Sequence, residues 1–437
     1  MFMKNCRCSL LLLLFSAGPL SLNAQQANPP LTLAQARAMA LKNHPQVLAS
    51  EALSLRAGQL TREARSAYYP TVNGNITGAQ AQTNSRIGAG VINDPRLFNH
   101  TGAGLTLSQL VSDFGRTRNL VANSELQAQA SREDYQATRY DVVLGVDQAY
   151  YEVLLAEQIV KVAQATVNAR QTVVDQVSEL TKNKLKSDVD LSFANVNLAD
   201  AKLMLLRAQD RLQSGFASLG QALGTQAAIQ YELTDQPMPP EPPGDENELI
   251  HEAFRSRPEL RSLELQTEAA QKFASAERDL KRPNLTFDAV GGTLPYIKPG
   301  NANPGIPSTY EALALNLQIP IFNGFAFSAR RQAAEYELQA TRQRRRDLED
   351  RVARDVRTAW ERAKTSYQAI AATEQLLKQS NLALQLAQGR YDLGLASIVE
   401  LSQAQLGQTT AEVENLNAKY DYQEAYAALE YTLGQLH

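Results

Sequence analysis

Six stretches in the second half of the chain match six in the first, in the same order and at a nearly constant offset. This internal repetition limits the fold more than any other feature. NHPQV at Asn43 matches SRPEL at Ser256, and SAYYPTVNGNI at Ser66 matches DLKRPNLTFDA at Asp279. QLVSDFG at Gln109 matches QIPIFNG at Gln318, and VDQAYYE at Val146 matches VRTAWER at Val356. SDVDL at Ser187 matches SIVEL at Ser397, and FASLGQALG at Phe216 matches YAALEYTLG at Tyr426. The proline-rich DQPMPPEPPGDE, Asp235 to Glu246, reads as an irregular link between the copies. We therefore expect a duplication with a first repeat over residues 25–234, a linker over 235–247 and a second repeat over 248–437.

Each repeat reads as helix, strand, loop, strand, long helix, turn, helix. From Val142 onward, small and β-branched residues recur at spacings alternating between four and three, as far as Thr181. The same pattern runs from Val352 to Tyr391. That rhythm is a coiled-coil seam. The runs from Arg116 to Thr181 and from Phe325 to Leu393 contain no proline, and at 1.5 Å per residue each would reach roughly 100 Å. The returning helix carries two stripes. Val189, Val196, Ala199, Leu203 and Leu206 form one, and Leu191, Ala194, Leu198, Ala201, Leu205, Ala208 and Leu212 form the other. Two stripes imply two neighbours, as in a closed ring of helices. Its length is about half that of its partner, and the helix expected over Leu31 to Ala67 would fill the remainder when stacked end to end with it.

The strands alternate with period two. Leu313, Leu315, Leu317, Ile319 and Ile321 are separated by Ala314, Asn316, Gln318 and Pro320. Leu285, Phe287 and Ala289 alternate with Thr286 and Asp288, and Leu105 and Leu107 with Thr106 and Ser108. One apolar face and one polar face over about ten residues suit a barrel wall between lipid and water. Two strands are expected over residues 70–113 and two over 283–321. Four strands cannot close a useful barrel, and open edges are not tolerated in lipid. Several copies must share one barrel, and three chains would supply twelve strands. Pro70 and Pro283 stand where helix hands over to strand, and Pro320 is a third helix-strand junction, near the end of the last strand. Each removes a backbone donor and disfavours helix before itself. The loops Thr83 to Asn99 and Pro295 to Ser308, rich in Gly, Pro and Asn, would face outside.

The N-terminus reads as a secretory signal peptide: Lys4 and Arg7, an apolar core through Phe15, then small residues, with cleavage expected after Ala24. Both cysteines, Cys6 and Cys8, lie within it, so disulfides, cysteine metal sites and cysteine catalysis are excluded from the mature chain. A net charge of -3 gives no general attraction to nucleic acid. The basic run RQRRRDLEDRVARD at Arg342 sets Arg345 against Glu349, Arg346 against Asp350 and Arg351 against Asp355, so it reads as a self-paired solvated face. His44, His100, His251 and His437 show no ligand spacing, and no catalytic constellation or cofactor motif stands out. Tyr150 and Trp360, at matching repeat positions, read as packing residues.

The long helix of the second repeat ends in RYDLGLASIVEL. There Gly394 suits the left-handed conformation that closes a helix, and Ser397 and Glu400 stand at capping-box spacing to start the next. Ser187 and Asp190 repeat the arrangement, with Lys184 in place of the glycine. Both turns lie at the end far from the strands.

With the duplication, QIPIFNG and the helix-to-strand prolines, these residues make the mature chain resemble the TolC-type outer-membrane efflux factors. The resemblance implies a mixed α and β membrane protein: a homotrimeric, twelve-stranded β-barrel in the outer membrane of a Gram-negative bacterium, continued by a long periplasmic coiled-coil tunnel. Its implied partners are a periplasmic adaptor protein, an inner-membrane pump and outer-membrane lipid, with no nucleic acid and no cofactor. It implies a passive exit duct for efflux or type I secretion rather than an enzyme.

In such proteins carboxylates just after the tip turns ring the periplasmic entrance. The resemblance places Glu400 at the main gate position, Asp190 at its counterpart and Gln403 where the family's best-known member has a further carboxylate. Ala396 stands where that member has an arginine. Three like charges about 6 Å apart repel by roughly 1 to 3 kcal/mol per pair. For Glu400, a helix-capping role is compatible with the gate. The adaptor would contact the tips: Lys182, Lys184, Lys186 and Ser187 on one turn, and Tyr391, Gly394, Leu395, Ala396 and Ser397 on the other. For the lysines, a solvated helix end is the competing reading. The competing function is a structural coiled-coil envelope protein, which accounts for the heptads but not for the strands.

Overall fold

The computed structural model describes residues 30–79, 87–89, 92–94, 100–225, 230–293 and 309–436. The signal-peptide reading over residues 1–24, the loop over 295–308 and most of that over 83–99 lie outside these residues.

The first half runs β1 (Pro30–Leu31), α1 (Leu33–Asn43), α2 (Pro45–Ser66), β2 (Thr71–Ala79), a short hairpin β3 (Ile87–Ala89) and β4 (Ile92–Asp94), β5 (His100–Ser112), α3 (Arg116–Lys182), α4 (Asp188–Ala222) and β6 (Glu232–Leu233). The second runs α5 (Glu246–Ser256), α6 (Pro258–Asp279), β7 (Asn284–Thr293), β8 (Thr309–Gln318), α7 (Ala326–Asp392) and α8 (Ile398–Thr432). Helix lengths coincide between the halves: 11, 22, 67 and 35 residues for α1 to α4, and the same for α5 to α8.

The helix expected over Leu31 to Ala67 is two helices, broken at His44. Pro45 is the first residue of α2, and the ring forces the residue before it into extended backbone, with His44 at φ -67° and ψ 126°. Arg257 before Pro258 does the same between α5 and α6. Each break receives the far end of the returning helix. Gly224 and Gly434, at φ +70° and +71°, close α4 and α8 against His44 and Ser256 respectively. A Cβ on Gly224 would lie 2.7 Å from the His44 Cα, so only glycine allows that approach. Thus α4 meets the start of α2 end to end, and both flank α3.

The seams are where the packing is. Val146, Val153, Ala156 and Ala163 of α3, and Val352, Val356 and Ala363 of α7, are buried. On α4 the stripe through Ala194, Leu198, Ala201 and Ala208 is buried, whereas Val189, Val196, Leu203 and Leu206 remain exposed on the single chain. The Asp147 carboxylate, fully buried, takes a bidentate grip from Arg37 at 2.7 Å through both oxygens and anchors α1 on α3.

The linker is clasped by aromatic side chains. β1 and β6 pair in parallel, and the Tyr150 hydroxyl lies 2.9 and 2.7 Å from the carbonyls of Leu31 and Thr234. At the matching position Trp360 Nε1 donates to the Pro243 carbonyl at 2.6 Å, and Tyr422 donates to that of Pro240. Tyr150 is buried, as its reading as a packing residue requires, and each ring also holds the linker by its polar atom.

The four long strands form one antiparallel sheet in the order β2-β5-β7-β8. Its register puts Val72, Ile76, Leu105, Leu107, Leu285, Phe287, Leu313, Leu315 and Leu317 on one face. Thr71, Asn73, Thr106, Ser108, Thr286, Asp288 and Asn316 occupy the other, where Ser108 Oγ donates to Asp288 at 2.7 Å. Pro70 and Pro283 immediately precede β2 and β7. β8 stops at Gln318, short of the alternation expected through Ile321, and Pro320 has no N–H to extend the ladder.

Of the ion pairs expected in the basic run of α7, Arg345 and Glu349 pair at 2.9 Å. Arg351 turns back to Asp347 rather than forward to Asp355, which is taken by Arg354. Both choices are solvent-exposed and differ little in energy.

Candidate functional site: the helical tip

The distal tip is made by two turns. In the second half of the chain Gly394 takes φ +72°, Leu395 N–H donates to the Arg390 carbonyl at 2.8 Å and Gly394 N–H to that of Tyr391 at 3.0 Å. This is the Schellman arrangement, which satisfies carbonyls a helix end leaves free. Lys184, without glycine's freedom, nonetheless closes α3 in the same way, at φ 57° with Leu185 N–H on the Leu180 carbonyl at 2.9 Å. The backbone bonds outweigh the Cβ penalty there.

The restarts differ. Ser187 and Asp190 form a complete capping box: the Ser187 hydroxyl accepts from Asp190 N–H at 3.2 Å, and the Asp190 carboxylate accepts from Ser187 N–H at 3.1 Å. Ser397 caps α8 by accepting from Glu400 N–H at 3.2 Å, but the reciprocal bond expected from the spacing is absent. The Glu400 carboxylate turns instead to Arg390, 3.4 Å away across the turn. That cation was not singled out in the sequence, because ten residues and a reversal of direction separate it from Glu400. Both side chains are exposed, which puts the pair at about 0–1 kcal/mol.

The two turns lean on each other. Val173, Val177 and Ala194 of the first half of the chain form one buried cluster with Tyr391, Ala396, Ile398 and Leu401 of the second half. Tyr391 is its polar member. Its hydroxyl is buried without a hydrogen-bond partner, Lys186 Nζ stands 4.8 Å from the ring centre, and burial, then the charges of Asp190 and Asp392, raises its pKa. The structure therefore gathers Lys186, Ser187, Asp190, Tyr391, Ala396 and Ser397 at one place. Lys182 pairs with Glu179 at 2.7 Å on the helix surface. Leu393 and Leu395 project as large exposed apolar side chains beside Gly394, and Leu185 does so on the other turn. Only Leu395 was a sequence candidate; the other two were recognisable only as apolar residues inside polar turns. Gln403 lies one turn beyond Glu400, and both line an open hollow of about 590 Å³ between α7 and α8.

The family model of the outer membrane efflux protein matches residues 36–225 and 249–435. Outer membrane protein TolC of Vibrio cholerae serotype O1 is 24% identical over 92% of this chain and 91% of its own length. Outer membrane protein TolC of Escherichia coli K12 is 23% identical over 74% of this chain and 67% of its own. The crystal structure of the outer membrane protein VceC of Vibrio cholerae superposes with a TM-score of 0.79 at 18% identity, covering 92% of this chain and 96% of that one. Matched through both halves, the chain belongs to the outer membrane efflux protein family, the TolC-type exit channels.

Proposed function

We propose that three copies of this chain form an outer-membrane exit duct, through which an inner-membrane pump discharges substrate by way of a periplasmic adaptor. One observation carries the reading: a four-stranded sheet, apolar on one face and polar on the other, with no partner on the outer edges of β2 and β8 among the described residues. In lipid such edges must be satisfied, and a closed barrel of several copies does so. The exposed stripe on α4 supports the same conclusion one level down, as a seam awaiting a neighbouring helix. The equal helix lengths in the two halves support an ancestral duplication of units over residues 25–234 and 248–437, joined by the linker over 235–247.

In this reading the tips face the periplasm. Glu400 and Asp190 ring the entrance, with Gln403 one turn inside, and Arg390 tempers the charge that Ala396 cannot. Leu185, with Lys182, Lys184 and Lys186 on its turn, and Leu393 and Leu395 on the other turn offer the adaptor exposed apolar side chains. The reaction is conduction; the duct supplies shape and charge, and the pump supplies energy.

Single-channel recording on the purified protein in planar bilayers tests the reading. Discrete conductance steps are expected, together with an unboiled gel band that moves to monomer size on heating. A folded protein with neither would be a structural coiled-coil component. Glu400→Ala is expected to lower the cation-to-anion permeability ratio about threefold or more, since one carboxylate about 6 Å from a cation in water contributes roughly 0.7 kcal/mol. An unchanged ratio would remove Glu400 from the gate.

A further inference from the structure

Arg170 lies on α3 about three turns before the tip. Its side chain is 7% exposed, and Nη1 has no hydrogen-bond partner. Burial lowers its pKa, and no neighbouring carboxylate opposes the shift. An uncompensated buried charge destabilises a fold, and groups of this kind are normally paired. The residue nonetheless borders open space. It lines a groove of about 510 Å³ enclosed by α3, α4 and α8, a volume within the range of roughly 300–1,000 Å³ for small-molecule sites.

The walls say what would fit. Phe193 and Met204 of α4 face Val399 and Leu406 of α8 across the groove, and Phe193, Val399 and Leu406 are exposed large apolar side chains. Asn197 donates to Ser402 Oγ at 2.6 Å, tying α4 to α8 and holding the walls at a set separation. Asp200 stands on the exposed rim, where it would repel a second negative charge.

We propose that this groove binds a monoanionic amphiphile, with a carboxylate head on the Arg170 guanidinium and an apolar body against Phe193, Met204, Val399 and Leu406. The planar fork of arginine matches a carboxylate bidentately, and the apolar walls exclude the water that would compete for it. The site is built within one chain, so it does not depend on the duct reading and fails or stands separately from it.

The test uses the intact protein in neutral detergent, with 4-phenylbutyrate as the probe and 4-phenylbutyramide as its uncharged counterpart, followed by calorimetry. The acid is expected to bind about tenfold tighter than the amide, the value of one charge-assisted contact. Phe193→Ala should weaken both ligands and leave that ratio unchanged. Arg170→Met should erase the ratio and raise the Tm of the ligand-free protein, because a buried unpaired charge is replaced by an apolar chain. Equal binding of acid and amide to the unaltered protein overturns the proposal. A lower Tm for Arg170→Met also overturns it, since the guanidinium would then already be paired by a neighbouring copy.

Discussion

Glu424 shows how far one side chain can depart from its ordinary chemistry in this fold. Burial, then the negative charges of Asp421 on its own helix and Glu152 on α3, pushes its pKa from 4.5 up to about 7, against the opposing charges of Arg362 on α7 and Arg211 on α4. Arg211 is engaged with Glu152 at 2.7 Å, so it can relieve Glu424 only in part. Because the folded-state pKa is the higher one, the folded chain holds a proton between about pH 4.5 and pH 7 that the unfolded chain releases. Stability from this group is therefore present below pH 4.5 and lost as pH rises towards 7. Glu424→Gln should flatten that dependence and stabilise the protein above pH 7 by up to roughly 3 kcal/mol per chain. Denaturant melts at pH 5 and pH 8 check it: equal differences between variant and parent at both values would dismiss the coupling.

Among the elements, the linker has the least regular structure of its own and depends most on other parts of the chain. The carbonyl of Thr234 just before it and its own carbonyls at Gln236, Pro240 and Pro243 accept from Tyr150, Gln423, Tyr422 and Trp360, all carried on the long helices. Prolines remove the donors that would let this segment form a strand or helix, so side-chain donors hold it instead. Trp360→Phe keeps most of the ring and removes the bond to Pro243, a loss of about 1 kcal/mol. Proteolytic nicking between residues 235 and 245 should then accelerate about fivefold, the Boltzmann equivalent of that loss. If the cleavage rate holds steady, the clasp is incidental. The tip turns carry a parallel lesson, since Lys184 and Gly394 reach one backbone geometry from different residues.

For the whole molecule, the proposed trimer would make association part of the fold, through the exposed stripe of α4 and the open sheet edges. Burying a leucine side chain stabilises by about 1.5–3 kcal/mol. Leu203→Lys with Leu206→Lys, both exposed on the single chain, should therefore leave each chain helical while shifting the assembly from trimer to monomer. Circular dichroism and size-exclusion chromatography in detergent separate the two effects. A trimer that survives the double substitution would place some other surface at the seam.

The lengths and order of the elements follow from local chemistry that is visible along the chain. Heptad spacing sets the long helices, period-two alternation sets the strands, and Pro70 and Pro283 mark the helix-to-strand handovers, whereas the breaks before Pro45 and Pro258 were read through as continuous helix. The family was legible for the same reason, because its motifs are contiguous. The partners of charged and polar side chains were not. Glu400 chose Arg390 across a turn over its own helix cap, and Arg351 chose Asp347 over Asp355. Tyr150 and Trp360 found carbonyls that lie 84 and 117 residues distant in the chain. Arg170, a position that the heptad pattern marks only as part of a seam, has its Nη1 buried without a hydrogen-bond partner. Periodicity is a property of neighbours in sequence. Electrostatic pairing and burial depend on which helices come together and at what separation, and only the packed chain decides that.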